Sequence, residues 1–337
     1  MSLLFGEHAF ILAKLSVAAS AGRKDEVHAY AELLAVNGGD LTDLFNASIG
    51  STEGAQFNQV WTSGNNAFVD YLVAVVKHDQ GAAGKAASKL TGTYVPELVQ
   101  LLTRTLQIPS DTSMRMAEDQ VISAKAFMDD QLAGRYAQSY TDVRVAYEKS
   151  TRLGDVIASR MAIKFADKFP GDAASKAAMR RVQLDGLLQE HALLATMTTE
   201  AAVSGGQPEE AAAAVLLAAV TANLASMFEQ FYGPAAARQT AQVWSTEDVT
   251  LVAYATAPEG ATKQDRLAAV QASGPQLAQV LRLFGKLDLN LDSEVAATVQ
   301  VVDDQRGKAF AAIATDDRAA ARQLVAVGDA VSGAAHA

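Results

Sequence analysis

The pair Glu7-His8 recurs as Glu190-His191, 183 positions further along a chain of 337 residues. At the same spacing Phe45 falls on Phe228, Gly50 on Gly233, Gln59-Val60-Trp61 on Gln242-Val243-Trp244, and Tyr71 on Tyr254. The chain holds only two tryptophans, and the spacing superposes them. A repeat of this length is a whole folding unit, so each copy must bury its own core. The expected organisation is two tandem units, residues 1–172 and 173–337, related by internal duplication. Pro96-Glu97-Leu98-Val99-Gln100 matches Pro275-Gln276-Leu277-Ala278-Gln279 after a short deletion. In the last third two registers compete. One keeps the original spacing and pairs Lys125 and Phe127 with Lys308 and Phe310, and Arg135 with Arg318. The other pairs Asp129-Asp130-Gln131 with Asp303-Asp304-Gln305, and Gly154-Asp155 with Gly328-Asp329. The first is preferred, because it restores the spacing seen upstream.

Both units read as all-α. Half of the residues are hydrophobic, yet aromatics are only 7% and prolines number 7, so the apolar content is largely alanine and aliphatic. Alanine gives up no side-chain entropy in a helix, whereas proline breaks one. Helices are predicted at 3–21, 25–49, 54–78, 83–106, 112–132 and 135–168. In the second unit they are predicted at 174–203, 208–231, 234–257, 262–284, 292–314 and 316–334. The third is the plainest: Phe57, Val60-Trp61, Phe68, Tyr71-Leu72 and Val75 recur at three- and four-residue steps. Trp61 and Trp244 are therefore expected as core anchors. Connections are short, so consecutive helices should pack antiparallel, as two up-and-down bundles.

Charge and composition remove several functions. The formal net charge is −10, and no basic run offsets it. Such a surface repels nucleic-acid backbones, so no nucleic-acid partner is expected. Cysteine is absent, which excludes disulfides, zinc-thiolate sites, iron–sulfur clusters and cysteine nucleophiles. The N-terminal residues show no basic segment or cleavage site and do not read as a signal peptide. The most apolar window, Ala211 to Phe228, is broken by Thr221, Asn223 and Ser226 and reads as a buried core helix, so no transmembrane segment is expected.

The titratable pair present in both units is the one candidate chemistry. Glutamate and imidazole can ligate a metal or pass a proton. Adjacent helical positions point about 100° apart, so neither pair chelates an ion without help from other helices. The reading preferred for His8 and His191 is structural, each at a core rim with its ring nitrogens satisfied nearby. Should a metal bind, the candidate ligands are His191, Glu190, Glu247, His8 and Glu7. His28 lies on a charged stretch and faces water, His78 ends the third helix, and His336 belongs to a loose chain end. Asp129-Asp130 and Asp303-Asp304 read as solvated helix faces. No GxSxG, HExxH or phosphate-loop pattern occurs, and Thr62-Ser63-Gly64-Asn65 falls inside a helix. No catalytic residue and no cofactor are expected.

Gly6-Glu7-His8-Ala9, Trp61, Ala133-Gly134-Arg135-Tyr136-Ala137 and Lys168-Phe169-Pro170 together resemble a family of bacterial extracytoplasmic proteins. Its members are all-helical, often repeat the unit, and have no assigned function. The resemblance implies a location outside the cytoplasmic membrane. Family members often carry histidine three residues after the tryptophan, and others in the fifth and sixth helices. Those places hold Gly64, with Glu247 in the second unit, then Gln120 and Lys149. If those histidines make a metal site, this chain has kept little of it. The functional expectation is a non-enzymatic binding or scaffolding bundle, with a protein partner or self-association. The alternative is a metal- or haem-binding bundle using His8 and His191.

Overall fold

The computed structural model describes residues 1–284 and 291–334, and among these every regular element is helical. The chain divides into two compact units, Met1–Ser175 and Lys176–Ala337. The first contains α1 (Ser2–Ser20), α2 (Lys24–Ser48), α3 (Ser51–Val76), α4 (Gln80–Lys89), a π-helical turn (Leu90–Tyr94), α5 (Val95–Leu106), α6 (Ser110–Leu132) and α7 (Tyr136–Lys164). The second contains α8 (Lys176–Val203), α9 (Gln207–Tyr232), α10 (Pro234–Ala255), α11 (Ala261–Phe284), α12 (Asp292–Gly307) and α13 (Phe310–Ala334).

In each unit neighbouring helices in sequence pack together, and the last returns to the first: α7 lies on α1, and α13 on α8. The first helix is the axis of its unit. From Phe5 to Ala18 every residue of α1 is buried, including Glu7, His8, Lys14 and Ser16. The same holds in α8 from Leu188 to Ala202. A helix that is apolar all round has no face to give to water, so it is enclosed by its neighbours. By length and composition α1 and α9 are each long and apolar enough to cross a membrane; α1 is mostly enclosed within its unit, while half of the corresponding window of α9 is enclosed.

The π turn has a local cause. Pro96 follows it in an otherwise continuous helix from Gln80 to Leu106. Proline donates no N–H, and its ring collides with the carbonyl four residues back; a wider turn relieves both. Tyr94, the last residue of that turn, is 1% exposed and stands in the core.

In the last third the two units show like geometry at residues that the second of the two registers pairs. Tyr71 Oη donates to Asp129 Oδ1 at 2.7 Å, and Tyr254 Oη donates to Asp303 Oδ1 at 2.7 Å. Gly134 and Lys308 stand at the break before the final helix, both with positive φ, +69° and +56°. Both correspondences lie 174 positions apart, not 183, so the preference for Lys308 and Phe310 as partners of Lys125 and Phe127 is corrected. The same error displaced a boundary, since α12 ends at Gly307 and not at 314. The reason lies at Lys308, where a left-handed cap is made without glycine at that position and so leaves little trace in the sequence.

Candidate functional site

Each unit is built around a histidine that lies against a tryptophan. In the first, α1 carries His8 and α3 carries Trp61, with ring centroids 4.7 Å apart. Phe57 stacks on Trp61 at 5.4 Å, Phe45 stacks on Phe57 at 4.0 Å, and Phe5 meets the indole edge-on at 5.1 Å. In the second, His191 of α8 and Trp244 of α10 are 5.8 Å apart, and Phe228 meets the indole edge-on at 5.9 Å. Both histidines are inside the core and not at its rim: His8 is 1% and His191 3% exposed.

The first centre is neutral. His8 Nε2 lies 2.8 Å from Asn65 Oδ1; a carbonyl oxygen only accepts, so Nε2 is the protonated nitrogen. Nδ1 is buried without a hydrogen-bond partner. Burial disfavours the imidazolium and lowers the His8 pKa to about 4, against which the Asn65 bond works in the raising direction. Glu7 points elsewhere and accepts a bond from Asn37 Nδ2 at 2.7 Å, while the same amide donates to the Leu4 carbonyl at 2.9 Å. Gly64 faces Tyr94 so closely that a Cβ there would sit 2.5 Å from the ring. Tyr94 Oη in turn donates to Gln120 Oε1 at 2.9 Å.

The second centre is acidic. The spacing that pairs His8 with His191 places Asp248 where Asn65 stands and Glu247 where Gly64 stands; the shorter spacing that pairs Pro96 with Pro275 places Ser273 where Tyr94 stands, and the one that pairs Asp129 with Asp303 places Glu294 where Gln120 stands. His191 Nε2 lies 3.1 Å from Asp248 Oδ1, but without hydrogen-bond alignment, and both atoms are buried. Asp248 Oδ2 accepts from Thr221 Oγ1 at 3.1 Å. Glu247 is enclosed beside Ser273; burial, and after it the charges of Glu294 and Asp248, push its pKa well above the usual carboxylate range. Glu294 accepts from Thr298 Oγ1 at 3.2 Å. Burial raises its pKa to about 7, while that bond and His191 act in the opposite direction. Glu247 Oε2 and Glu294 Oε2 are both buried without hydrogen-bond partners.

The sequence candidates thus separate. His191 and Glu247 share one centre, whereas Glu7 turns from His8 toward α2. Glu190 is buried in α8. Among the described residues no three His, Asp or Glu side chains converge as a metal ion requires. Lys149 pairs with Asp119 at 2.8 Å. His28 is exposed beside Glu32 at 3.2 Å, and His78 is exposed just past α3; His336 lies outside the described residues. The aspartate pairs are not solvated faces. Asp129 and Asp303 hold the tyrosines above, Asp130 is buried and paired with Arg135, and Asp304 is buried with Oδ1 accepting from Gln300 at 3.0 Å. Asp248 and Glu294, which sequence reasoning passed over, could have been found by reading the unlike residues at corresponding positions.

One open feature touches the first centre. Between α2, α3 and the end of α4 runs a groove of about 580 Å³, with Leu34, Gly38 and Asn65 at its base. Asn58, Thr62, Asn66, Asp70 and Lys89 line its exposed part. Comparison with protein-family models, curated proteins and solved structures finds no match to this chain.

Proposed function

We propose that the chain is two copies of one six-rod helical unit and that it serves as a non-enzymatic binding or scaffolding protein. The location we propose is outside the cytoplasmic membrane, on the strength of the family resemblance, with α1 and α9 as core helices. Support for the duplication comes from paired geometry: the His–Trp contacts, the Tyr–Asp bonds and the buried first helices recur at corresponding places.

The observation that carries the binding role is the groove on the first unit. Its amides, hydroxyl, carboxylate and ammonium offer both donors and acceptors on walls of small apolar residues. A peptide segment asks for that combination, because each of its residues brings one N–H and one C=O. The histidines, by contrast, are enclosed in core packing.

A peptide-display selection against the whole protein tests this reading. Peptides held by the parent and lost on the Asn58→Ala/Asn66→Ala variant, with its melting temperature unchanged, are the expected result. A selection that returns no peptide sensitive to those two substitutions would overturn it.

A further inference from the structure

Burying four ionisable groups near one another needs a compensating charge, and in the second unit the compensation is incomplete. Asp248 and Glu294 act on the imidazole of His191, and Glu247 faces both of those acids. Around them, among the described residues, α9 supplies the hydroxyl of Thr221, α11 that of Ser273, and α12 that of Thr298 besides Glu294 itself. From α13 the charged residues buried in this unit are Asp317 and Arg318, one of each sign. Even a charged imidazole and Arg318 leave an acid excess. Glu247 and Glu294 are 5% and 6% exposed, and each keeps a carboxylate oxygen without a hydrogen-bond partner. An ionised carboxylate in that condition is among the most costly arrangements in a protein interior. The donor set does not converge on a metal position. Protons are the remaining compensation.

The contrast between units sharpens this. Gly64, Asn65 and Gln120 correspond to Glu247, Asp248 and Glu294, so each neutral partner in the first unit becomes an acid in the second. A further exchange has the same sign. Ser2 donates to Asp155 in the first unit. Its counterpart Asp185 faces Asp329 in the second, with Arg181 reaching both. Each unit also holds an aspartate pair in its last two helices, Asp130 with Asp142 and Asp304 with Asp316, so the acids particular to the second unit are the Glu247, Asp248 and Glu294 group and the Asp185–Asp329 pair.

We propose that the second unit is a proton-gated element: the His191, Glu247, Asp248 and Glu294 cluster holds at least one proton near neutrality, and losing it to solvent in mild alkali loosens α10 and α12 from α8. The first unit, with neutral groups at the same positions, stays closed over that range. The direction follows from linkage. Glu294 is raised to about 7 in the folded chain, above its ordinary 4.5, and Glu247 moves the same way. Their contribution to stability is full below about pH 4.5 and is lost as pH rises through the folded value.

Hydrogen exchange of the whole protein, read peptide by peptide and corrected for the intrinsic pH dependence of exchange, tests it. Between about pH 5.5 and pH 8.5, protection of the α10 and α12 peptides is expected to fall at least about tenfold, the equivalent of one pKa unit. The α3 and α6 peptides should keep theirs. Asp304 of α12, raised to about 6 by burial and by Asp316, titrates at the acid end of this range and is replaced in the background. In an Asp304→Asn background, Glu247→Gln/Glu294→Gln should remove most of the fall, and adding Asp185→Asn the remainder. A flat profile before those three substitutions, or a fall that survives them, would overturn the proposal. Should the variants not fold, the infrared spectrum of the parent still decides. A protonated-carboxyl band at neutral pH that fades in alkali supports it, and absence of that band overturns it.

Discussion

At the scale of single residues, the tryptophans carry the most. Trp61 and Trp244 are each 1% exposed, and each indole touches the imidazole of its own unit. Replacing either with alanine should cost about 3–5 kcal/mol in a denaturant titration, as for other large buried aromatics. Trp61 should sit at the upper end, because Phe5, Phe57, His8 and Tyr94 all pack on it. A loss under about 1 kcal/mol would contradict the burial. These two positions were legible in the sequence, since a helical stripe and a fixed repeat both marked them. The acids were legible only in part. Glu247 was a candidate by its place opposite Gly64, but Asp248 and Glu294 stand where hydrophobic periodicity expects polar or small residues, and periodicity alone does not tell a buried carboxyl from a solvated one. The neutral residues at the corresponding places of the first unit, and the neighbours across three helices, reveal the difference.

At the scale of elements, helix ends decide how far the sequence could be read. Most starts and stops fell within a few residues of their expected places, because Gly50, Pro109 and the Gly205-Gly206-Gln207-Pro208 segment mark them. The end of α12 did not. Lys308 adopts φ +56°, with its N–H donating to Gln305 and that of Ala309 to Asp304. A side chain with a Cβ pays roughly 1 kcal/mol for this conformation. Lys308→Gly is therefore expected to stabilise the second unit by about 0.5–1 kcal/mol, less than the full strain because glycine also loosens the unfolded chain. Thermal melting would check it, and a lowered midpoint would show that the lysine stem does more in packing than it costs in backbone. The π turn was likewise hidden: Pro96 announced a disturbance, but the sequence does not say whether a helix kinks, ends or widens there.

At the scale of the whole molecule, the two units are expected to answer acid and alkali oppositely. His8 drops to about 4 on burial from its ordinary 6.5. A histidine shifted this way contributes stability that is full above about pH 6.5 and is lost as pH falls through 4, on the order of 3 kcal/mol in all. Exchange-protection measurements should therefore show α1 and α3 weakening between about pH 6 and pH 4, with His8→Gln flattening that fall. An acid response confined to the second unit would refute the assignment. The packing of Gly64 under Tyr94 has another consequence, for how one arrangement can change into the other. A glutamate introduced beside the intact tyrosine collides with its ring, while serine introduced first leaves a hollow next to glycine. The two mutations are each harmful alone and tolerable together, and only the route through the hollow avoids forcing the helices apart. Lineages that carry this chain should therefore switch both positions or neither, and a survey of its natural variants would find the mixed combinations rare.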